Sequence, residues 1–198
     1  MIVIDLEILN PIIPKNKITK SGYTYASGWD DYLGMGIAVV VVYDYMTDTY
    51  VYFKNDRLDQ LQRVINETDL ICGYNNIKFD NEVLRCHNVL IDNNKCYDVL
   101  RQIWYSVGLN GIFDYKTHGG YSLDAVIKTN FTGEGKTLES GEFAPYMWQE
   151  GKYDQVIEYC KNDVKMTKLL INRIFEFGGI INPKTGEFIK IAIPISHK

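Results

Sequence analysis

Apolar residues follow two different spacings along the chain, and their succession predicts an α/β fold. Short apolar runs predict strands over 2–8, 36–45, 49–53 and 69–74. The first three strands should form an antiparallel meander, because only a turn separates the second from the third. Before the fourth strand, apolar residues at helical spacing predict a helix over 56–67. This strand, helix, strand unit favours parallel pairing, so we expect a mixed central β-sheet flanked by α-helices.

The second half of the chain is mainly helical. Apolar spacing and capping residues predict helices over 80–89, 98–107, 122–129 and 153–177, with Asp98 and Ser122 as N-caps. Two segments lie outside this pattern: a loop insert over about 10–33 and a hairpin over about 180–195. Because no repeat or low-complexity linker interrupts the chain, we expect residues 1–198 to form a single domain.

Composition narrows the class of protein. The chain has 198 residues, a mass of 22.8 kDa and a net charge of -4. Its four cysteines have neither CxxC nor zinc-site spacing, so we expect reduced thiols. Without a leader or a run of about 18 apolar residues, we expect a cytoplasmic protein with no membrane segment. The negative charge argues against binding nucleic acid through Lys and Arg alone, but carboxylates that hold cations would reverse the local charge.

The first predicted strand carries two acidic residues. Asp5 and Glu7 are two positions apart, so they face the same side of the strand. Neighbouring carboxylates repel each other and favour a compensating cation, and Mg²⁺ or Mn²⁺ takes oxygen ligands of this kind. The alternative is a half-exposed strand with two ordinary acids.

A further acid, Asp80, stands where a helix is predicted to begin, directly after a buried strand and a polar loop. Alone, it is explained as a helix N-cap. The loop contains Asn75, whose amide could meet a nucleotide, and Phe79, whose ring could stack on a base. Either residue could instead serve only to close the loop.

The long predicted helix contains the third candidate pair. Tyr159 and Asp163 are four residues apart and therefore share a helical face. Apolar residues such as Val156 and Val164 predict that this helix is buried along one side, which would give the acid a rigid support. The alternative is a tyrosine and an aspartate on a solvated face.

Together, the strings VIDLE at 3–7, GYNNIKFD at 73–80 and YCKND at 159–163 resemble the Exo I, Exo II and Exo III motifs of the DEDD superfamily of 3′-5′ exonucleases. The tyrosine places the resemblance in the DEDDy subclass of these DnaQ-like proteins. The likeness is strongest to the proofreading exonuclease domain of family B DNA polymerases and covers about 1–175. It implies an RNase H-like fold, which agrees with the predicted order of strands and helices.

The resemblance implies a catalytic set of Asp5, Glu7, Asp80, Tyr159 and Asp163. The four carboxylates would hold two divalent ions, Mg²⁺ or Mn²⁺, which would activate water and stabilise the departing 3′ oxygen. Tyr159 would orient the water, because a free phenol with a pKa of about 10 is not deprotonated at neutral pH. The predicted contacts to substrate are Leu6, Asn75, Phe79 and Lys136.

By this resemblance the protein is expected to release 5′-mononucleotides from the 3′ ends of DNA, with single-stranded or frayed ends favoured. No polymerase domain follows the long helix, so we expect a free-standing nuclease or one that works with a replication or repair protein. Two alternatives stay open. The substrate could be RNA, or the chain could be a catalytically idle module that binds nucleic acid or a partner.

The insert over 10–33 is long for a loop, and loops beyond about 15 residues are uncommon unless they are functional or disordered. It mixes lysines with aromatic residues, namely Lys15, Lys17, Lys20, Tyr23, Tyr25, Trp29 and Tyr32. This composition suits single-stranded nucleic acid, because lysine meets phosphate and rings stack on bases. The alternative is a surface flap that packs its aromatic residues on the domain.

Overall fold

A five-stranded mixed sheet lies at the centre of the protein. The computed structural model describes residues 1–16, 18–133 and 141–193. Within these ranges the strands are β1 (Ile2–Ile8), β2 (Ile37–Asp44), β3 (Thr49–Lys54), β4 (Ile71–Gly73), β5 (Cys96–Asp98), β6 (Gly179–Ile181) and β7 (Phe188–Lys190). The helices are α1 (Tyr32–Met35), α2 (Leu58–Asn66), α3 (Asp80–Cys86), α4 (Val99–Ser106), α5 (Leu123–Asn130), α6 (Ala144–Gln149) and α7 (Tyr153–Phe177).

The sheet order is β3-β2-β1-β4-β5, with β1 at the change from antiparallel to parallel pairing. β1 pairs along its length with antiparallel β2, which pairs in turn with antiparallel β3. On its other side β1 pairs with β4 in parallel, but only at Ile2 and Val3, and β4 continues to β5. This mixed sheet, flanked by helices, confirms the predicted fold class and is consistent with an RNase H-like fold.

Side chains of β1 alternate between two hydrophobic layers. Val3 packs in the layer that contains residues of α4, α5 and α7. Ile4 and Leu6 pack in the other layer, with residues of α2 and α3. Because the period of a strand is two, Asp5 and Glu7 face the same layer as Val3. The sheet therefore turns both carboxylates towards the side on which α7 lies.

The longest helix, α7, spans 25 residues and has the predicted bounds. Its buried residues recur at helical spacing and face β1 and β2. It ends at Gly178, whose φ of 73° lies in the left-handed region that glycine adopts without steric cost. Across the described ranges, no helix combines the length and the apolar character needed to cross a membrane.

Apolar spacing does not predict three short elements, α1, β5 and α6. β5 has only three residues, too few to display a period, and the sequence predicts a helix start at Asp98, the last residue of β5. Asp98 is nevertheless the N-cap of α4, as predicted, and Ser122 caps α5. α6 has six residues with Pro145 in its first turn, so its pattern is equally brief.

The predicted hairpin near the end of the chain consists of β6 and β7, which form a sheet of their own. β6 packs against α5 and α7. Beyond β7 the chain reaches β5, the last strand of the central sheet. There the hydroxyl of Tyr97 donates a hydrogen bond to the carbonyl oxygen of Ala192 at 2.7 Å. The predicted hairpin extends to residue 195, and its last two residues lie outside the described ranges.

Candidate active site

The two acids of β1 lie close together and beside a cysteine of α7. A carboxylate oxygen of Asp5, one of Glu7 and the Sγ atom of Cys160 all lie within 4.8 Å of one another. Glu7 is buried and Asp5 is half-buried. Nearby carboxylates with little water around them repel each other strongly, so this arrangement favours a compensating cation.

Asp80 reaches β1 from the start of α3. It is only 4% exposed, and its Oδ1 atom accepts a hydrogen bond from the N–H of Leu6 at 3.1 Å. Burial raises the pKa of Asp80 to about 7, and the negative charges of Asp98 and Asp163 add to the rise, while the hydrogen bond from Leu6 opposes it. The N-cap position belongs to Phe79, so Asp80 is not the helix cap that a local interpretation suggests.

Three neighbouring residues of α7 have buried side chains, namely Tyr159, Cys160 and Asp163. The Sγ atom of Cys160 lies 3.4 Å from the carbonyl oxygen of Asp5 and 3.5 Å from its Oδ2 atom. Burial raises the pKa of the Cys160 thiol well above its usual range, and the charges of Asp5 and Glu7 add to this effect. The thiol is therefore neutral and donates to Asp5. The burial of Tyr159 and Asp163 excludes the alternative of a solvated helical face.

Asp5 and Asp163 both line a groove of about 650 Å³. Tyr159 instead lines a separate depression of about 450 Å³, together with Asn162 and Lys165. The Tyr159 hydroxyl lies close to Gly141, where a Cβ atom would come within 3.1 Å of the hydroxyl oxygen. Tyr159 and Asp163 thus share a helical face but border different cavities.

The predicted substrate contacts have different positions. Asn75 and Phe79 line the groove that contains Asp5 and Asp163. Leu6 does not, because its side chain packs in the opposite layer, and any contact with substrate would come from its main chain. Lys136 lies outside the described residues.

The loop that carries Asn75 and Phe79 is held by Asp98, a role that the sequence analysis missed. The buried carboxylate of Asp98 accepts hydrogen bonds from the N–H groups of Asn75 at 2.9 Å and Ile77 at 3.3 Å, in addition to capping α4. Burial raises the pKa of Asp98, and these hydrogen bonds oppose the rise. Asn75 has a φ of 64°, a conformation that asparagine tolerates better than most residues. The prediction that Asp98 is an N-cap does not indicate that its carboxylate also binds the distant residues Asn75 and Ile77.

Asn76 is a second residue that the sequence analysis missed. It is buried, yet among the described residues neither its amide nitrogen nor its amide oxygen has a hydrogen-bond partner. A buried amide without partners is costly and calls for a physical reason. Asn76 belongs to the GYNNIKFD string at 73–80, and this membership is the one sequence feature that could have identified it.

The insert is attached to the domain through α6. Tyr23 and Tyr25 contact the ring of Tyr146, with centroids 5.1 and 6.1 Å apart, and the Nζ atom of Lys20 lies 4.8 Å from the same ring. Gln149 donates to the carbonyl oxygens of Leu9 and Thr24 at 3.2 and 2.9 Å. This part of the insert packs on the domain, as the flap alternative requires.

Trp29 behaves differently from the tyrosines of the insert. It is 66% exposed and lines the groove, where its ring centroid is 6.4 Å from that of Phe79. The flap alternative therefore accounts for Tyr23 and Tyr25 but not for Trp29. Tyr23 and Tyr25 pack on the domain, whereas Trp29 is presented to the groove.

The donors at this site fit a hard divalent cation. Asp5, Glu7, Asp80 and Asp163 offer carboxylate oxygens, which Mg²⁺ and Mn²⁺ prefer. Burial raises the pKa of Asp80, and a cation bound beside it would favour its ionised form. The residues present are thus compatible with the predicted ions.

The mixed sheet and its flanking helices define an α/β protein whose fold is also found in part of a much larger enzyme. The family B DNA polymerase from the hyperthermophilic archaeon Pyrobaculum calidifontis is similar to this chain with a TM-score of 0.58 and 16% sequence identity. The similarity covers 89% of this chain and 24% of the polymerase chain, so this protein spans about a quarter of that enzyme. At this identity the similarity establishes the fold alone. No protein-family model and no curated protein matches the chain.

Proposed function

We propose that this protein is a metal-dependent 3′-5′ exonuclease that acts on DNA and releases 5′-mononucleotides. The observation that carries the proposal is that Asp5 and Asp163 line one groove, with Glu7 next to Asp5 and with Asp80 bound to the N–H of Leu6 on the same strand. A fold shared with part of a DNA polymerase supports DNA as the substrate.

In this proposal Asp5, Glu7, Asp80 and Asp163 hold two Mg²⁺ or Mn²⁺ ions. The ions would supply activation of the attacking water and stabilisation of the leaving 3′ oxygen. Asp80 has to be ionised to act as a ligand, and its pKa of about 7 in the metal-free protein means that cation binding and proton release are coupled. Cys160 donates to Asp5 and thereby fixes the orientation of that carboxylate.

Tyr159 orients the nucleophile in this proposal. It occupies the same face of α7 as Asp163, one helical turn earlier, and its burial limits the rotamers that it can adopt. A hydroxyl held in this way can accept a hydrogen bond from the attacking water or donate one to it, and so align the water with the phosphorus atom. Such alignment lowers the entropy cost of reaching the transition state.

The test is gel-resolved digestion of a 5′-labelled single-stranded oligodeoxynucleotide in Mg²⁺ or Mn²⁺. We expect a ladder of labelled products that shorten one nucleotide at a time from the 3′ end, with 5′-mononucleotides as the released product. EDTA should abolish the ladder, and so should Asp163→Asn, which keeps the shape of the side chain but removes its charge. Full activity of Asp163→Asn would contradict the proposal.

Matched duplex DNA and RNA of the same sequence complete the experiment. Because RNA and DNA differ at the 2′-hydroxyl, their relative rates determine the preferred sugar. A wild-type protein that binds the oligonucleotides and leaves all of them intact with both metals would favour an idle binding module instead.

A further inference from the structure

Trp29 combines high exposure with a position at the candidate active site. A single exposed apolar residue on a protein surface is ordinary and needs no explanation. Trp29 differs because the groove that it lines is the one bordered by Asp5 and Asp163. Its ring also lies next to that of Phe79, with the centroids 6.4 Å apart and an angle of 59° between the two planes.

The backbone around Trp29 is fixed by Asp31. The carboxylate of Asp31 accepts hydrogen bonds from the N–H and the hydroxyl of Ser27, both at 2.8 Å, and from the N–H of Gly34 at 2.9 Å. These bonds close a turn over 27–34 that includes Trp29. Ala26, immediately before the turn, is fully buried in the hydrophobic layer beneath β1. The exposed indole is therefore presented from an ordered support.

The second ring of the pair comes from a different part of the chain. Phe79 is half-buried and directly precedes Asp80, whose carboxylate binds the N–H of Leu6. Because Phe79 and Asp80 are consecutive residues, a base that contacts Phe79 lies near the carboxylates. Trp29 packs next to Phe79, lines the same groove and is 66% exposed.

We propose that Trp29 stacks on an unpaired nucleobase of the strand whose phosphodiester lies at the carboxylates, with Phe79 beside that base. The inference rests on the proposed function and adds a residue that determines specificity. Stacking on aromatic side chains tolerates any base, because every base has an aromatic face. A base inside a duplex has both faces covered by its neighbours, so Trp29 favours single-stranded or frayed ends over paired ones.

The test compares wild type with Trp29→Ala and Trp29→Phe in steady-state digestion of a single-stranded oligodeoxynucleotide. Trp29→Ala should raise KM roughly 5- to 150-fold, the range measured when one aromatic platform is removed, with kcat nearly unchanged. Trp29→Phe retains a ring and should recover most of the affinity. Tyr115→Ala is the matched control, because Tyr115 is 88% exposed and is not among the residues that line the groove. Both substituted positions are exposed, so the fold should tolerate them.

Oligonucleotides with one abasic residue, moved stepwise from the 3′ end, identify the base. At one position the loss caused by Trp29→Ala should disappear, because the abasic substrate has no base to stack there. A loss that is the same for every abasic position would show that Trp29 acts through the backbone or the fold and would overturn the inference. An unchanged KM in Trp29→Ala would overturn it as well.

Failure of the proposed function would give a different result. If the wild-type protein cleaves no oligonucleotide with Mg²⁺ or Mn²⁺, the proposed exonuclease activity is refuted, but the proposed stacking of a base on Trp29 is not. The same abasic series is then measured as binding, by fluorescence anisotropy in Ca²⁺, and the expected pattern of affinities is unchanged. No binding by the wild-type protein would overturn both proposals.

Discussion

Asp163 and Trp29 line the same groove, yet the first is 5% exposed on a 25-residue helix and the second is 66% exposed on a loop. A charged ligand for a metal gains from burial, because low polarity strengthens its attraction to the cation and packing fixes its geometry. An aromatic ring that is to contact a ligand has to remain uncovered until the ligand arrives. Under the proposed function, the comparison separates residues that the fold holds for chemistry from residues that it leaves available for binding.

Removing a charge from the buried group should have the largest effect. Glu7→Gln takes away one of the two carboxylates of β1 without changing the volume of the side chain. Because a metal site contributes several kcal/mol to transition-state stabilisation, we expect kcat to fall on the order of 10³-fold. Initial rates of mononucleotide release in Mn²⁺ measure the effect. Glu67→Gln, at an exposed position, is the control, and equal rates for the two variants would remove Glu7 from the site.

Tyr159→Phe should have the next largest effect, since it removes the hydroxyl but keeps the buried ring. We expect kcat to fall about 10- to 100-fold, the cost of a misplaced nucleophile. Mn²⁺ affinity, measured by calorimetry, should stay the same because no carboxylate changes. Tyr153→Phe, at the exposed start of α7, should match wild type. Loss of Mn²⁺ binding in Tyr159→Phe would show that the hydroxyl organises the metal site and not the water.

Asp80→Asn should stabilise the metal-free protein at alkaline pH. The folded-state pKa of about 7 lies above the ordinary value of 3.8, so the proton on Asp80 stabilises the fold at low pH. This stabilisation is complete below about pH 4 and is lost as the pH rises through 7. Asparagine keeps an acceptor for Leu6 and has no charge to bury. At pH 8.5 in EDTA we expect a gain of up to about 4 kcal/mol in the free energy of unfolding.

Urea unfolding at pH 5, 7 and 8.5 measures this prediction. The difference between Asp80→Asn and wild type should grow with pH in EDTA, and saturating Mn²⁺ should reverse it by stabilising only the wild type. Parallel pH profiles for the two proteins would mean that Asp80 is not the group that titrates.

The smallest expected effect concerns the attachment of the insert. Gln149→Ala removes the side chain that bonds Leu9 and Thr24, at a cost of about 1 kcal/mol. If the insert positions Trp29, KM for single-stranded DNA should rise roughly 2- to 5-fold while kcat stays constant. Amide hydrogen exchange in 18–26 should accelerate at the same time. Faster exchange with an unchanged KM would show that Trp29 does not depend on this anchor.

Local periods predicted which acids share a face, and the resemblance to the exonuclease motifs singled them out as a candidate site. The period of two in β1 places Asp5 and Glu7 on one face, and the period of 3.6 in α7 does the same for Tyr159 and Asp163. Both patterns appear in the structure with the predicted bounds. Their roles in metal binding and catalysis stay predictions that the experiments above test.

The contacts between distant segments were not accessible in the same way. Asp98 bonds Asn75, and Trp29 approaches Phe79, through chain separations of 23 and 50 residues. A local period cannot predict such contacts, because they depend on how β5 and the insert pack in three dimensions. β5 itself is too short to predict, and without it the position of Asp98 beside the loop cannot be inferred.

The parallel pairing of β1 with β4 ends early and leaves the backbone amide of Leu6 free to bind another acceptor. Regular pairing stops at Val3, and the N–H of Leu6 donates to the Asp80 carboxylate instead of to a neighbouring strand. The resonance of a backbone amide is sensitive to the charge of its acceptor. The Leu6 amide is therefore an internal probe, and its NMR chemical shift should follow both the protonation of Asp80 and the arrival of a cation, without any label at the site.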